Sequence, residues 1–284
     1  MPIAFVLDSG SDYLGQEDTI ETSCPVHVVS LNVNFKNEDT YLDGIDLTHE
    51  AFYDKMRNSK ELPKTSQPAP QKFFETFNRL IEEGFEVIYL GIASGLSGTF
   101  QSANVAKEML SEENQMKLHM VDTETVSAGV IYLLQYADSL VHNGLNAKEV
   151  HEKLEERKKN VAGIILLETL ENLKKGGRIS ALQGRVGGFL NIKPLLSVGQ
   201  NTVETLDNFR GKKKGIRKLT EMLSDWRENH DELFIVHSYP SRQMVMDHFK
   251  EQFSFDTFKK IRYIKLGSVI GTYGGENSIG FIKY

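Results

Sequence analysis

Apolar positions along the chain recur with two periods. Compact runs at residues 3–7, 86–92 and 118–121 read as buried strands, and 26–33 alternates as one strand with a wetter face. Residues 70–83 read as a helix, because Phe73, Phe74, Phe77, Leu80 and Ile81 recur at helical spacing and Pro70 suits a first turn. This strand–helix alternation predicts an α/β fold whose first half is a mostly parallel, doubly wound sheet.

The second half has a different rhythm. Strands are expected at 162–167 and 193–198, separated by a Gly-rich helical stretch, 173–190. Residues 202–206 return across the 199–201 turn as a hairpin. A helix at 211–228, a strand at 233–237, a helix at 242–252 and strands at 261–266 and 279–283 complete a smaller α/β unit with a mixed sheet. The expected division is residues 1–155 and 156–284, with a boundary somewhere between Gly144 and Asn160.

Composition narrows the class. The 284 residues are 40% hydrophobic and 25% charged, which excludes a disordered or collagen-like chain. The longest apolar runs suit strands and fall short of the roughly 18 residues a membrane helix needs. The opening MPIAFVLDSG has no basic region, so no signal peptide is expected. A single cysteine, Cys24, leaves no internal disulfide and no Cys-rich zinc site, and points to the cytoplasm. The net charge of −6 argues against nucleic acid as a partner. One segment departs from it: residues 210–218, RGKKKGIRK, carry six basic residues and no acid. That run is either a solvated helix start or a docking patch for an acidic partner.

Hydroxyl and glycine residues gather after the strands of the first half. In Ser94-Gly95-Leu96-Ser97-Gly98-Thr99 the glycines permit close backbone approach and a helix begins near Thr99, so the segment reads equally as an anion cradle or as a capping turn. Lys64-Thr65-Ser66-Gln67-Pro68 reads as a polar loop fixed by Pro68 and Pro70, while Asp8, Ser9, Ser11, Asp122 and Thr123 complete the polar set. There is no dinucleotide fingerprint, no phosphate loop, no nucleophile elbow and no His pair at metal-ligand spacing. His237, at a strand end, is the best candidate base, but a satisfied structural histidine is the commoner explanation for such a residue. Arg178, just past Gly176 and Gly177, has a planar fork suited to a phosphate or carboxylate.

Taken in order, these pieces resemble the DegV family of bacterial lipid-binding proteins. The resemblance runs through Asp8-Ser9-Gly10-Ser11-Asp12, Tyr41-Leu42-Asp43-Gly44-Ile45-Asp46, Lys64-Thr65-Ser66-Gln67-Pro68 and the 94–103 segment to Val121-Asp122-Thr123. It continues through Leu173-Lys174-Lys175-Gly176-Gly177-Arg178-Ile179-Ser180, Lys193-Pro194-Leu195-Leu196 and Gly271-Thr272. It implies a two-domain protein with one long-chain fatty acid held between the domains. It further implies service to a separate kinase subunit, which converts the presented carboxylate to acyl-phosphate.

By the same resemblance Thr65 and Ser94 hydrogen-bond the carboxylate, Ser97 and Thr99 support them, and Arg178 and Arg210 face the kinase subunit. No catalytic residue, metal or cofactor is implied. Where the family has Gly-Thr-His, this chain has Gly271-Thr272-Tyr273, so a neutral phenol replaces an imidazole, with Glu276 close behind. Burying about 15 acyl carbons contributes on the order of 12 kcal/mol before costs, so affinity is expected from an apolar tunnel. The 70–83 helix and residues 186–192 are the expected walls. The competing reading is a small-ester hydrolase or phosphate-ligand enzyme built on the 94–99 loop.

Overall fold

The computed structural model describes residues 1–16, 20–36, 40–183, 192–227, 230–249, 253 and 258–284. The first half contains β1 (Ile3–Asp8), β2 (Val26–Val29), β3 (Asn32–Asn34), β4 (Thr40–Leu42), α1 (His49–Asn58), β5 (Lys64–Ser66) and α2 (Pro70–Glu82). It continues with β6 (Glu86–Gly91), α3 (Thr99–Glu108), α4 (Glu112–Gln115), β7 (Leu118–Asp122), α5 (Ala128–His142) and α6 (Ala147–Arg157). The second half contains β8 (Ala162–Leu166), α7 (Glu171–Lys175), β9 (Leu182–Gln183), β10 (Lys193–Gly199), β11 (Thr202–Phe209) and α8 (Lys212–Arg227). Then come β12 (Glu232–His237), α9 (Arg242–Phe249), β13 (Lys260–Lys265), α10 (Ser268–Gly274) and β14 (Ile279–Lys283).

Three sheets result. A parallel sheet runs β2-β1-β6-β7 and a mixed sheet runs β13-β12-β14-β8-β10-β11-β9. A small antiparallel sheet, β4-β3-β5, projects beside them. The helical face of α2 packs Phe73, Phe77, Leu80 and Ile81 against β6, and Phe73 and Phe77 meet the Tyr89 ring edge-on at 5.3 and 5.7 Å. Apolar burial and aromatic geometry therefore fix the angle of this helix.

Three expectations change. The single strand at 26–33 is two strands in different sheets. Ser30 and Leu31 make the corner, and the Leu31 N–H is taken by Ser9 Oγ at 3.0 Å instead of a ladder partner. The polar loop at 64–68 begins as β5, paired with β3, so Thr65 stands on a strand. In the second half α7 stops at Lys175 and is followed by a 3-10 turn at Arg178–Ala181, which replaces the front of the long helix expected at 173–190. Residues 184–191, and with them most of the expected 186–192 wall, lie outside the described residues, as do 228 and 250–252 at two expected helix ends.

The hairpin β10–β11 forms as expected. Gln200 and Asn201, at φ of 51° and 61°, make its two-residue turn, the left-handed geometry that matches strand twist. The largest hydrophobic cluster takes Phe5, Leu7 and Leu90 from the parallel sheet and Phe234, Val236 and Ile282 from the mixed sheet. The two halves thus share buried apolar surface. No described helix is long and apolar enough to cross a membrane.

Candidate functional site

The apolar edge between the sheets is not filled. A cavity, with about 120 Å³ open to the centre of a water molecule, runs across one face of the mixed sheet. Ile165, Leu196, Val198, Val203 and Ile282 line it there, and Leu31, Ile92 and Val126 close it from the ends of the parallel strands. An apolar space of this kind has affinity for hydrocarbon and none for an isolated charge.

Polar groups converge at one part of this lining. Thr65 Oγ1 and the Tyr273 hydroxyl share a hydrogen bond of 2.6 Å, although 208 residues separate them. The Arg178 guanidinium lies over the Tyr273 ring, 4.8 Å from its centre, and donates to Gly176 O at 3.0 Å. Gly176 is required there, because a side chain at that position would strike the Tyr273 ring. Ser97 also lines the cavity, its Oγ 2.8 Å from Thr99 Oγ1. Of the residues singled out in the sequence, Thr65, Ser97, Arg178 and Tyr273 therefore meet on one cavity.

The others take different places. Ser94 is exposed and outside the lining, and its N–H donates to Asp122 Oδ1 at 3.2 Å. Thr99 is fully buried and begins α3 behind Ser97. Arg210 is exposed at the end of β11. Glu276 points away from the cavity and pairs with Arg57 at 3.1 Å. His237 is absent from the lining. Asp8 caps the 3-10 turn Ser9–Ser11 and accepts from the Tyr89 hydroxyl and the Ile92 N–H, each at 2.9 Å.

The 94–99 loop does not form an open anion cradle. Its Gly95 N–H donates to Asn201 Oδ1 at 3.1 Å, and the N–H groups of Leu96 and Ser97 both return to Ala93 O. A side chain at Gly95 or Gly98 would collide with Asn201 or Gln67, so close packing against protein explains both glycines. Among the described residues, no hydrogen bond joins Ser94 to an imidazole.

Sequence reading missed Thr125 and Ser127. Both line the cavity, and Thr125 Oγ1 is buried with no hydrogen-bond partner. Ser127 adopts φ 55°, an uncommon backbone state for a non-glycine residue. The available signal was a Thr-x-Ser run directly after a strand that ends in Asp122-Thr123. Behind this wall, burial raises the carboxyls of Asp8, Asp12 and Asp43, Asp8 to about 6. Asp12 Oδ1 accepts the Gly267 N–H at 2.9 Å, and Asp43 accepts from the N–H and hydroxyl of Ser268. Acids of the first half thereby hold the start of α10, which carries Val269, Ile270 and Tyr273 into the cavity.

A parallel sheet and a mixed sheet enclosing an apolar cavity with a polar mouth define the class, an α/β protein with an internal site for an apolar molecule. The chain belongs to the DegV family, whose model, described as "uncharacterised protein, DegV family", matches residues 2–284. A DegV domain-containing protein of Halalkalibacterium halodurans is 32% identical, over 99% of this chain and 98% of its own. A Thermus thermophilus DegV family protein, described by its fatty acid binding, superposes with a TM-score of 0.84 at 30% identity, covering 100% of this chain and 99% of that one. The fatty acid kinase B3 protein of Streptococcus pneumoniae, loaded with linoleic acid, shares the fold at a TM-score of 0.81 and 22% identity, covering 100% and 99%.

Proposed function

We propose that this protein binds one long-chain fatty acid, with the chain in the apolar cavity and the carboxylate at the Thr65–Tyr273–Arg178 mouth. The observation that carries this reading is Arg178, the one cation among the described residues that line this largely apolar cavity, held over the ring of a hydroxyl donor. A carboxylate there accepts from Thr65 and Tyr273 and is balanced by Arg178, so its burial needs no further charge. The binding of fatty acid by the Thermus thermophilus relative supports the same ligand class. Ser97 serves as a further donor, Thr99 holds Ser97, and Ser94 stands on the outer lip.

The protein acts as a carrier without chemistry of its own. It presents the carboxylate to a separate kinase subunit for acyl-phosphate formation in the cytoplasm, with exposed Arg210 on the partner-facing side. The two functional units are residues 1–155, which supply the hydroxyl side of the mouth, and 156–284, which cover the acyl chain. Tyr273 fits this role as a neutral donor, because Arg178 supplies the charge that a phenol lacks.

Denaturing the purified protein, extracting it with organic solvent and weighing the extract by mass spectrometry tests the reading. One fatty acid per chain is expected. An empty extract, repeated after incubation with mixed fatty acids, overturns it. Acyl-phosphate that forms only with an added kinase subunit and ATP tests the carrier step, and acyl-ester hydrolysis by the protein alone counts against it.

A further inference from the structure

A second cleft lies behind the cavity, at the carboxyl ends of the neighbouring parallel strands β12 and β13. This edge of an α/β sheet is the usual place for a ligand. The cleft mixes polar and apolar surface, far more polar than the cavity, and has a volume of about 400 Å³. The last residues of the two strands, His237 and Lys265, line it, whereas their neighbours Val236 and Leu266 line the apolar cavity. Arg242 opens α9 at the cleft, and Ser241 beside it caps that helix by accepting the Met244 N–H at 3.3 Å. The positive end of the helix is therefore also present.

His237 is the informative residue. It is 3% exposed, and its Nδ1 accepts the Tyr239 N–H at 3.2 Å. That bond places the proton of the neutral ring on Nε2, for which no hydrogen-bond partner is found among the described residues. Burial, with Lys265, Arg242 and His49 nearby, lowers the ring to about 4, so near neutral pH it is an uncharged donor. Lys265 Nζ lies 3.9 Å from Glu50, whose side chain is 83% exposed and able to swing into solvent. The remaining titratable groups of the lining are His49 and Tyr263, and the Tyr263 hydroxyl is engaged with Met246 Sδ at 2.7 Å.

We propose that this cleft is a binding site for a phosphate-type anion, carried either by a soluble phosphate monoester or by a lipid headgroup. Lys265 and Arg242 supply the charge, and His237 Nε2 and the start of α9 supply hydrogen bonds. Two cations, a fixed neutral donor and helix N–H groups suit a tetrahedral group with several acceptor oxygens. The site is independent of the fatty acid reading, since its residues do not touch the cavity.

The test titrates the full chain with inorganic phosphate and with glycerol 3-phosphate by calorimetry, at constant ionic strength set with chloride. The His237 Nε2–H resonance is followed by ¹⁵N NMR. Saturable binding that shifts this resonance is expected, with Lys265→Gln weakening it about tenfold or more and exposed Arg242→Gln by several-fold. Binding in solution assigns a soluble phosphate. Binding only to vesicles containing phosphatidic acid, lost in the same two variants, assigns a headgroup. No response to either source, or a response both variants retain in full while folded by circular dichroism, overturns the proposal.

Discussion

Arg178 carries the largest single consequence at the scale of one residue. If it balances a buried carboxylate, Arg178→Met should weaken fatty acid binding about 30-fold or more, because removing one partner of a buried charge pair costs about 2 kcal/mol or more. Tyr273→Phe removes only one neutral donor and should cost several-fold. Competition with a fluorescent fatty acid measures both, and equal effects would argue against the charge assignment. Asp12 yields a prediction about pH. Burial raises its carboxyl, so the folded state retains a proton that the unfolded chain has released. Its contribution to stability is complete below the ordinary carboxyl range and falls as pH rises through the folded value. Asn keeps the acceptor for Gly267 and tolerates the φ of 57° at this position. Asp12→Asn should therefore match the parent near pH 4 and exceed it in urea denaturation near pH 8. Individual roles were only partly legible in the sequence. Thr65 and Tyr273 were both visible as hydroxyl residues, but their 2.6 Å contact joins segments that no local pattern connects. Arg178 read in the sequence only as a fork suited to a phosphate or carboxylate, because the ring it covers, Tyr273, comes from the far end of the chain.

At the scale of elements, α10 links the two halves. It is short, and its start depends on Asp12 and Asp43 and on the Tyr53 hydroxyl, which donates to Leu266 O at 3.1 Å. Ser268→Ala leaves Asp43 buried with a donor missing and should cost about 1–3 kcal/mol. If α10 also sets the mouth, the same variant should retain less fatty acid through purification, read by the extraction assay; full retention would separate the clamp from the site. Most elements were readable because their periods were clear, as in α2 and the β10–β11 hairpin. Those that were misread depended on tertiary partners. A hydrogen bond from Leu31 to Ser9 breaks the 26–33 run, and pairing with β3 makes a strand of residues that look like a loop.

For the whole molecule, a large part of the joint between the halves is apolar and aromatic. Trp226, the only tryptophan, stands edge-on to Tyr284 at 5.1 Å, and Tyr284 stacks at 4.0 Å on Tyr132 of α5. Its fluorescence therefore reports on the joint, while circular dichroism reports on all elements. Because one apolar cluster spans both sheets, the two signals should change together in urea; two separated transitions would mean halves that unfold independently. The overall α/β architecture was legible from strand–helix alternation alone. The cavity was not, since a core wall and a ligand wall use the same side chains.

The tip of the β10–β11 hairpin has a consequence in time. Asn201 accepts from the Gly95 N–H, donates to Asp122 at 3.0 Å, and gives its own N–H to Glu124 O at 3.1 Å. Strands on either side of that tip contribute Val198 and Val203 to the cavity, and Leu96 and Ser97 approach from the loop it grips. If the cavity holds a fatty acid, these bonds form a latch that must open before the chain leaves through that side. Asn201→Ala should thus shorten the residence of a bound fatty acid far more than it changes affinity, since entry and exit accelerate together. Stopped-flow exchange against an excess of unlabelled fatty acid would show it, and an unchanged exit rate would place the doorway elsewhere.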